Sequence, residues 1–412
     1  MRRTTMTLVL ATASVGTALA LLFAWATPPG QPYDEPAHWA NVLFYAVNHR
    51  MPVLGETGTQ YEAQMGPGYY APSGLLVDLS GLGTGTAAFW LIRLAWIVLV
   101  PLLVLLTMRA ARVLGTGRRA SISAAMLVAA NPLMLAMGST IQNDYLAMVV
   151  ATVGVLLGIH LFQSREPLLR GHFALGVVVG LAILVKVVAV ALLPAILITQ
   201  VLRSGVATRV RAAQMLATTL AAAATSGWWF VRNLVLYGDL TGDQGIGSLG
   251  VGFPPMRLSS IEDVMTWVGS IVSYLFVPVE YYRNVIDAPP ALEVLAIVLA
   301  AGVLALLVRA YVPWRGVRGG IGRWRTNPDR LLLVCVLSMT ALAYLVYALA
   351  VAWIAARLLF LAAPVAAIVL AAAGRDRIGR AVVNAVIVSF LLVDVWLLIN
   401  LAALPPAEYW IF

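Results

Sequence analysis

The sequence predicts an all-α polytopic membrane protein of about 11 transmembrane helices with two longer extracytoplasmic loops. Three observations carry that reading. Hydrophobic residues make up 61% of the 412 and charged residues only 11%, where a soluble domain has about 25% charged, and the mean hydropathy is +0.90. The runs of Leu, Val, Ala and Ile lack period-2 alternation and reach the ~20 residues that cross a bilayer, so helices satisfy the backbone in lipid. Basic residues collect on alternate connections, as they do in cytoplasmic loops.

Eleven apolar segments are expected as spans, near 6–27, 87–108, 121–138, 144–163, 172–187, 188–202, 211–230, 290–308, 331–350, 358–373 and 381–402. The first follows the basic start MRRTT and ends at Ala24-Trp25-Ala26, which imitates a signal-peptidase site. Its apolar run exceeds the ~7 to 15 residues of a signal h-region, so it is read as uncleaved. The fifth and sixth come from 172–202, too long for one span and short for two, read as two short helices bent near Lys186. Cys335, the only cysteine, packs within the ninth, and no intramolecular disulfide can form. With no appended soluble domain, repeat or low-complexity tract, 1–412 reads as a single integral membrane domain. Its long extracytoplasmic loops are 28–86 and 231–289, and long loops in a compact chain are usually functional.

With the N-terminus cytoplasmic, the cytoplasmic segments hold 20 of the 27 basic residues, including Arg109, Arg112, Arg118, Arg119 and those of PWRGVRGGIGRWR, 313–325. Of the 18 acids only Glu166, Asp329 and Asp376 fall on that side. The net charge of +9 is therefore a consequence of topology, and no nucleic-acid partner is expected. Seven basic residues break the sorting: Arg50, Arg93, Lys186, Arg232, Arg257, Arg283 and Arg357. Lys186, in GLAILVKVVAVALLP, is placed where a charge costs about 2.5–3.5 kcal/mol on insertion scales. Snorkelling to the interface is one reading of such cations. Convergence on an anion is the other, and an anion with a hydrocarbon tail at the outer leaflet is a lipid phosphate.

The first loop opens with PYDEPAHW, 32–39. Asp34 can cap a helix whose first turn holds Glu35 and Pro36, both favoured there. Trp39, Val42, Leu43 and Ala46 then share one face and His38, Asn41, Tyr45 and Asn48 another, the pattern of a short amphipathic helix lying in the interface. YEAQMGPGYY, 61–70, sets Glu62 and Gln64 among Tyr61, Tyr69 and Tyr70 around a Gly-Pro-Gly turn. Aromatic residues anchor membrane interfaces, and Glu62 among them is a substrate-lining candidate. In IQNDYLA, 141–147, Asn143 and Asp144 open the fourth span; capping suffices for Asn143, and Asp144 stands beside the same outer cavity. Arg232 and Asn233 lie in GWWFVRNLVLYGDLTG and Arg357 in WIAARLLFLAAPV.

DEPAH after the first span, YEAQMGPGYY at the end of the first loop and QNDYLA opening the fourth span are followed in order by GLAILVK, WWFVRNLVLYGDLTG and ARLLFLAAP. In that series the chain resembles the lipid-linked-sugar glycosyltransferases of the GT-C superfamily, in particular the protein mannosyltransferase and aminoarabinose-transferase branch. The resemblance implies inverting transfer from a polyprenyl-phosphate sugar donor to a glycan, lipid or protein acceptor, outside the cytoplasm at a bacterial cell membrane. It implies Asp34 as the catalytic carboxylate; Glu35 beside it is the second catalytic candidate, and His38, Glu62, Gln64, Tyr69, Tyr70, Asp144, Lys186, Arg232, Asn233 and Arg357 are the candidate substrate-binding residues. An acceptor hydroxyl needs a carboxylate to take its proton. A phosphate leaving group needs fixed positive charge, which Lys186, Arg232 and Arg357 can supply.

Two departures stand out. Relatives often read YEAHQPPLYY, where this chain has Gln64 for the histidine and Gly66 for the first proline; their late motif reads GRYLFPALP, where Arg357 lacks the following tyrosine. The sequence fixes no cofactor. A divalent cation, Mg²⁺ or Mn²⁺, is compatible with Asp34, Glu35 and His38, although helix periodicity and capping account for them as well. The alternative function is a transporter or flippase of a lipid-linked anion, with Lys186 and Arg93 along its path; the sequence shows no inverted repeat in its favour.

Overall fold

The computed structural model describes residues 2–32, 34–164, 168–248, 259–282, 286–315, 326–350 and 356–404, and among these it holds helices and no strand. In chain order the first helices are α1 (Arg2–Ala26), α2 (Glu35–Asn48), α3 (Pro67–Ser80), α4 (Thr86–Trp96), α5 (Leu99–Val113), α6 (Arg118–Ala129), α7 (Pro132–Gly138) and α8 (Asp144–Gln163). There follow α9 (Leu169–Val185), α10 (Leu192–Leu202), α11 (Thr208–Tyr237), α12 (Asp243–Ser248), α13 (Ile261–Phe276) and α14 (Pro290–Arg315). Three more, Pro328–Ala350, Ala363–Ala373 and Arg377–Leu401, complete the bundle.

Seven described helical segments are long and apolar enough to cross a membrane, or eight if the bent pair α6–α7 is one span, by length and composition. The expected eleven are not reached by that measure. The remaining three expected spans fall on α9, on Val187–Leu202, both shorter apolar helices, and on α11, which is long but rich in Ala and Thr. The span expected at 121–138 is bent by 60°. Its break is at Asn131-Pro132, because proline lacks the N–H of the helix ladder and pushes the residue before it out of helical geometry. Asn131 is accordingly extended, and its side chain accepts the Met134 N–H at 2.9 Å.

The break near Lys186 is present. Lys186 is extended (φ −154°, ψ 125°) between α9 and a 3₁₀ turn, Val187–Ala191, that leads into α10. α9 packs along α11, where a Cβ on Gly176 would lie 2.2 Å from the Thr218 carbonyl oxygen, the close approach that small residues permit between membrane helices. α11 continues to Tyr237 and stops at Gly238, whose φ of 80° places it in the left-handed region with its N–H on Leu234 O at 3.1 Å. Arg232 and Asn233 therefore sit on a helix, and the loop expected from 231 begins only after it.

Two features of the first loop carry the site. Along α2, Trp39, Val42 and Ala46 on the apolar face and His38, Asn41 and Tyr45 on the polar face are all buried, and Asn48 at its end is exposed. The first three polar-face side chains are therefore turned into the protein. The Gly66-Pro67-Gly68 turn sits directly on the end of α9, where a Cβ on Gly66 would lie 2.2 Å from the Leu184 carbonyl oxygen. Glycine in place of the relatives' proline is thus what lets the two backbones touch beside Lys186. Gly66→Ala is expected to cost about 1–3 kcal/mol by overpacking and to lower the thermal unfolding midpoint in detergent. Gly227→Ala, with nothing within 4 Å of the new Cβ, should leave that midpoint unchanged or raise it.

Candidate active site

The structure separates the two adjacent acids. Glu35 accepts from Arg93 Nε at 2.7 Å and Ile141 N at 2.9 Å on one oxygen, and from Arg93 Nη2 at 2.5 Å and Gly30 N at 3.0 Å on the other. Four donors fill the lone-pair positions of a carboxylate. Arg93 in turn donates to the carbonyls of Ala24, Thr27, Pro28 and Gln31 and lies over the rings of Phe89 and Trp90. Neither side chain reaches solvent. Glu35, expected beside Asp34 as a catalytic residue, thus joins the start of α2, the end of α1, the segment before α8 and α4.

Asp34 faces the other way. It stands at the N-cap position of α2 but makes no side-chain cap bond. Tyr61 donates to its Oδ1 at 2.7 Å, and Oδ2 forms an ion pair with Arg357. Arg357 is carried there by a 3₁₀ turn, Ala356–Ala362. Asn143 also occupies an N-cap position without capping; its amide donates to Val185 O at 2.9 Å and its oxygen accepts from Lys186 Nζ at 3.3 Å. Lys186, the chain's single lysine, forms an ion pair with Asp144 at 2.7 Å. The intramembrane cation is thus matched by the acid that opens α8, the arrangement such charges require.

His38 and Glu62 complete the pocket. His38 Nδ1 pairs with Tyr70 OH at 2.7 Å, and the Asn41 side chain donates to the Glu62 backbone carbonyl at 3.0 Å. Burial pushes the His38 imidazolium pKa down to about 3, against the opposing charge of Asp34. Burial, then the Asp34 charge, pushes the Glu62 carboxyl up to about 8. Tyr61 is raised by burial and by Asp34, so it stays a phenol and a donor. Lys186, Arg357 and Asp144 act on both His38 and Glu62, which gathers six ionisable groups, with Asp34, into one buried cluster.

The other expected residues are distributed around it. Tyr69 is buried against Tyr70 and Trp96. Gln64 is buried, and its backbone carbonyl accepts from the buried Asn233 at 3.4 Å. Arg232 donates to the Pro52 carbonyl at 2.5 Å and to Asn233, so it braces the first loop instead of joining Lys186 and Arg357. Arg50 pairs with Glu56 at the surface, and Arg257 and Arg283 lie outside the described residues. Two site residues had a weaker signal in the sequence. Tyr61 reads as an interface aromatic and Asn143 as a cap; the sign of more was the side chain next to each, Glu62 and Asp144.

Asp34, His38 and Glu62 could hold a metal ion, since one ligand atom from each lies within 4.8 Å of the other two. Their donor set fits, with one imidazole nitrogen and two carboxylates. In metal-free protein the two titrations act in opposite directions. Unfolded chain takes up a proton at His38 between 6.5 and about 3 that the folded chain refuses, so this contribution to stability falls as pH drops through that window. Folded chain keeps a proton at Glu62 between 4.5 and about 8 that the unfolded chain loses, so that contribution is present below 4.5 and lost as pH rises through 8. Thermal unfolding in chelator from about pH 3 to 9 should show both limbs, with His38→Gln flattening the acid limb and Glu62→Gln the alkaline one.

The model of the family described as dolichyl-phosphate-mannose-protein mannosyltransferase matches residues 82–229. That stretch holds Arg93, Asn143, Asp144 and Lys186, and leaves Asp34, Glu62 and Arg357 outside it. No curated protein matches the chain. Among solved structures, ArnT from Cupriavidus metallidurans bound to undecaprenyl phosphate superposes with a TM-score of 0.58 at 16% identity, over 89% of this chain and 60% of that one. The chain has the GT-C fold. The archaeal oligosaccharyltransferase AglB from Archaeoglobus fulgidus, in complex with an inhibitory peptide and a dolichol-phosphate, shares it with a TM-score of 0.60 at 13% identity, over 98% of this chain and 56% of that one. The chain therefore spans 56 to 60% of the length of these two GT-C structures. On that frame, the buried ionisable cluster is built from the first loop, the start of α8, the break after α9 and the 3₁₀ turn at Arg357.

Proposed function

We propose that the chain is an integral membrane glycosyltransferase that moves a sugar from a polyprenyl-phosphate donor to an acceptor hydroxyl on the extracytoplasmic side, with inversion. The observation that supports this most is the pairing of Asp34 with Arg357 in the same buried cluster as the Lys186–Asp144 pair, both pairs acting on His38 and Glu62. A base and two cations meet there in a chain otherwise poor in charge. The lipid phosphates held by the ArnT and AglB structures are consistent with a donor of that class.

In this reading Asp34 takes the proton of the acceptor hydroxyl as its oxygen bonds to the anomeric carbon. The bond from that carbon to the phosphate oxygen breaks, and the phosphate leaves with the electron pair. Arg357 and Lys186 stabilise the charge that develops on it, each exchanging a carboxylate partner for the phosphate. Glu62, whose carboxyl is held toward its protonated form by burial and by the Asp34 charge, donates a hydrogen bond to sugar or acceptor, and His38, bonded to Tyr70, lines the site. Glu35 and Arg93 hold the loop. The positive-inside sorting supports a pocket facing away from the cytoplasm. The transport reading loses one of its two stepping stones, because every nitrogen of the Arg93 guanidinium group is already bonded.

The test is reconstitution of the purified chain with labelled polyprenyl-phosphate sugars and envelope acceptors, alongside mass spectrometry of envelope glycans from a deletion strain. Release of polyprenyl phosphate matched by labelled acceptor, and loss of the same linkage in the strain, is expected. Counter-flow of the labelled lipid with no transfer and unchanged glycans would replace this reading with transport.

A further inference from the structure

We propose that the arginines around two packed turns, 114–117 and 374–376, form a docking surface for the headgroup of an anionic phospholipid with two phosphates, on the face opposite the candidate active site. The surface stands independently of the transferase reading.

α5 follows Arg93, which holds Glu35, and the helix Ala363–Ala373 follows the 3₁₀ turn of Arg357. From these two residues the chain runs away from the site for roughly 30 Å, at about 1.5 Å per α-helical and 2.0 Å per 3₁₀ residue, which is the depth of a bilayer core. Ala363–Ala373 packs against α5 and α6, and Arg377–Leu401 packs against α6, so the turns that end these helices are neighbours. Around the first stand Arg109, Arg112, Arg118 and Arg119, all exposed. Around the second stand Arg375, Arg377 and Arg380, also exposed. The described acids at this end are engaged elsewhere: Asp376 Oδ1 accepts from Gly379 N at 2.7 Å, and Asp329 Oδ2 accepts from the Gln163 amide at 2.9 Å.

Sorting by membrane side accounts for an excess of arginine at this end, but not for what these arginines touch. Arg203 and Arg211 serve helix-end carbonyls, those of Leu161 and Ser164 and those of Val201 and Val206. Arg109, Arg112, Arg119, Arg375 and Arg377 have no side-chain hydrogen bond or ion pair among the described residues. Two of the helices also carry exposed apolar side chains in line with their arginines. Leu102 and Leu105 lie on the face of α5 that ends in Arg109 and Arg112, and Val388, Leu392, Val395 and Ile399 lie on the face that starts at Arg377. Acyl chains along such stripes with phosphate at the arginines fit an amphiphile; a soluble polyanion meets the charges alone. Basic clusters on the cytoplasmic side of membrane helices hold phospholipid headgroups in this way. Two neighbouring cationic turns, on helices packed ~8–10 Å apart, suit two phosphates better than one.

The test is lipid retention by the purified full chain, equilibrated in vesicles of phosphatidylcholine mixed with cardiolipin or, at equal phosphate, with phosphatidylglycerol, then re-extracted in mild detergent and read by native mass spectrometry. Cardiolipin is expected to be retained in preference to both other lipids. Changing Arg109, Arg112, Arg375 and Arg377 together to Gln should lower its retention at least about tenfold. The same four positions changed to Lys should keep it, and Arg50→Gln, which removes one charge on the side of the candidate site, should leave it unaltered. Inorganic pyrophosphate should not displace the lipid. Retention of phosphatidylcholine or phosphatidylglycerol equal to that of cardiolipin, undiminished cardiolipin in the fourfold Gln variant, or its loss from the Lys variant would overturn the proposal. Displacement by pyrophosphate would replace the lipid with a soluble polyanion. None of these outcomes depends on whether any sugar is transferred.

Discussion

Asp34→Asn is expected to lower turnover with the correct lipid-linked donor by about 10²–10⁴-fold, the range that a positioned general base contributes. Asparagine keeps the shape of the side chain and can still accept from Tyr61, which bonds Oδ1 in the native protein. The variant should therefore remain folded, with a small loss of thermal stability from the missing partner of Arg357. The defect should appear in kcat and not as a raised KM for the donor, because the lost interaction is one with the acceptor proton in the transition state. A wild-type rate in Asp34→Asn would move the base to another group, with the Glu62 carboxyl, within 4.8 Å, the next candidate.

Arg93→Leu should be the most destabilising single change in the protein. Removing one partner of a buried ion pair costs about 3–5 kcal/mol, and here it also strands the carbonyls that Arg93 serves at the end of α1. Glu35→Gln keeps part of the network and should be milder. Yield of monodisperse protein and the unfolding midpoint in detergent measure both. If Glu35 were a catalyst, Glu35→Gln would instead lose turnover at an unchanged midpoint.

The bundle was legible because bilayer thickness dictates long apolar runs, and charge sorting was legible because it follows the membrane sides. Lys186 and Asp144 were both marked by being charges in apolar sequence, and the structure joins them. What the sequence could not tell apart was the two acids of DEPAH. Adjacent residues of a helix start point in different directions, so Asp34 reaches Arg357 some 300 positions later, while Glu35 reaches Arg93. Which acid met which cation depended on tertiary packing. The same limit applies to Arg232, whose position just beyond a span resembled that of Arg357 but whose guanidinium is taken by the Pro52 carbonyl. The bend at Asn131-Pro132 was written locally in the proline and was overlooked because the apolar run continued through it. Capping misread Asp34 and Asn143 for one reason: a side chain suited to cap a helix is equally suited to bind a cation, and in both cases the cation won.

The account's central claim is that Arg357 and Lys186 form a phosphate cradle that Asp34 partly occupies at rest. Equilibrium binding of labelled polyprenyl phosphate to Asp34→Asn, compared with wild type in chelator, tests it most directly. The claim predicts binding at least as tight as wild type, since Arg357 is released from its carboxylate, with Arg357→Gln and Lys186→Gln each weaker by about tenfold, or ~1.4 kcal/mol. Weaker binding in Asp34→Asn together with unaltered binding in Arg357→Gln would contradict it.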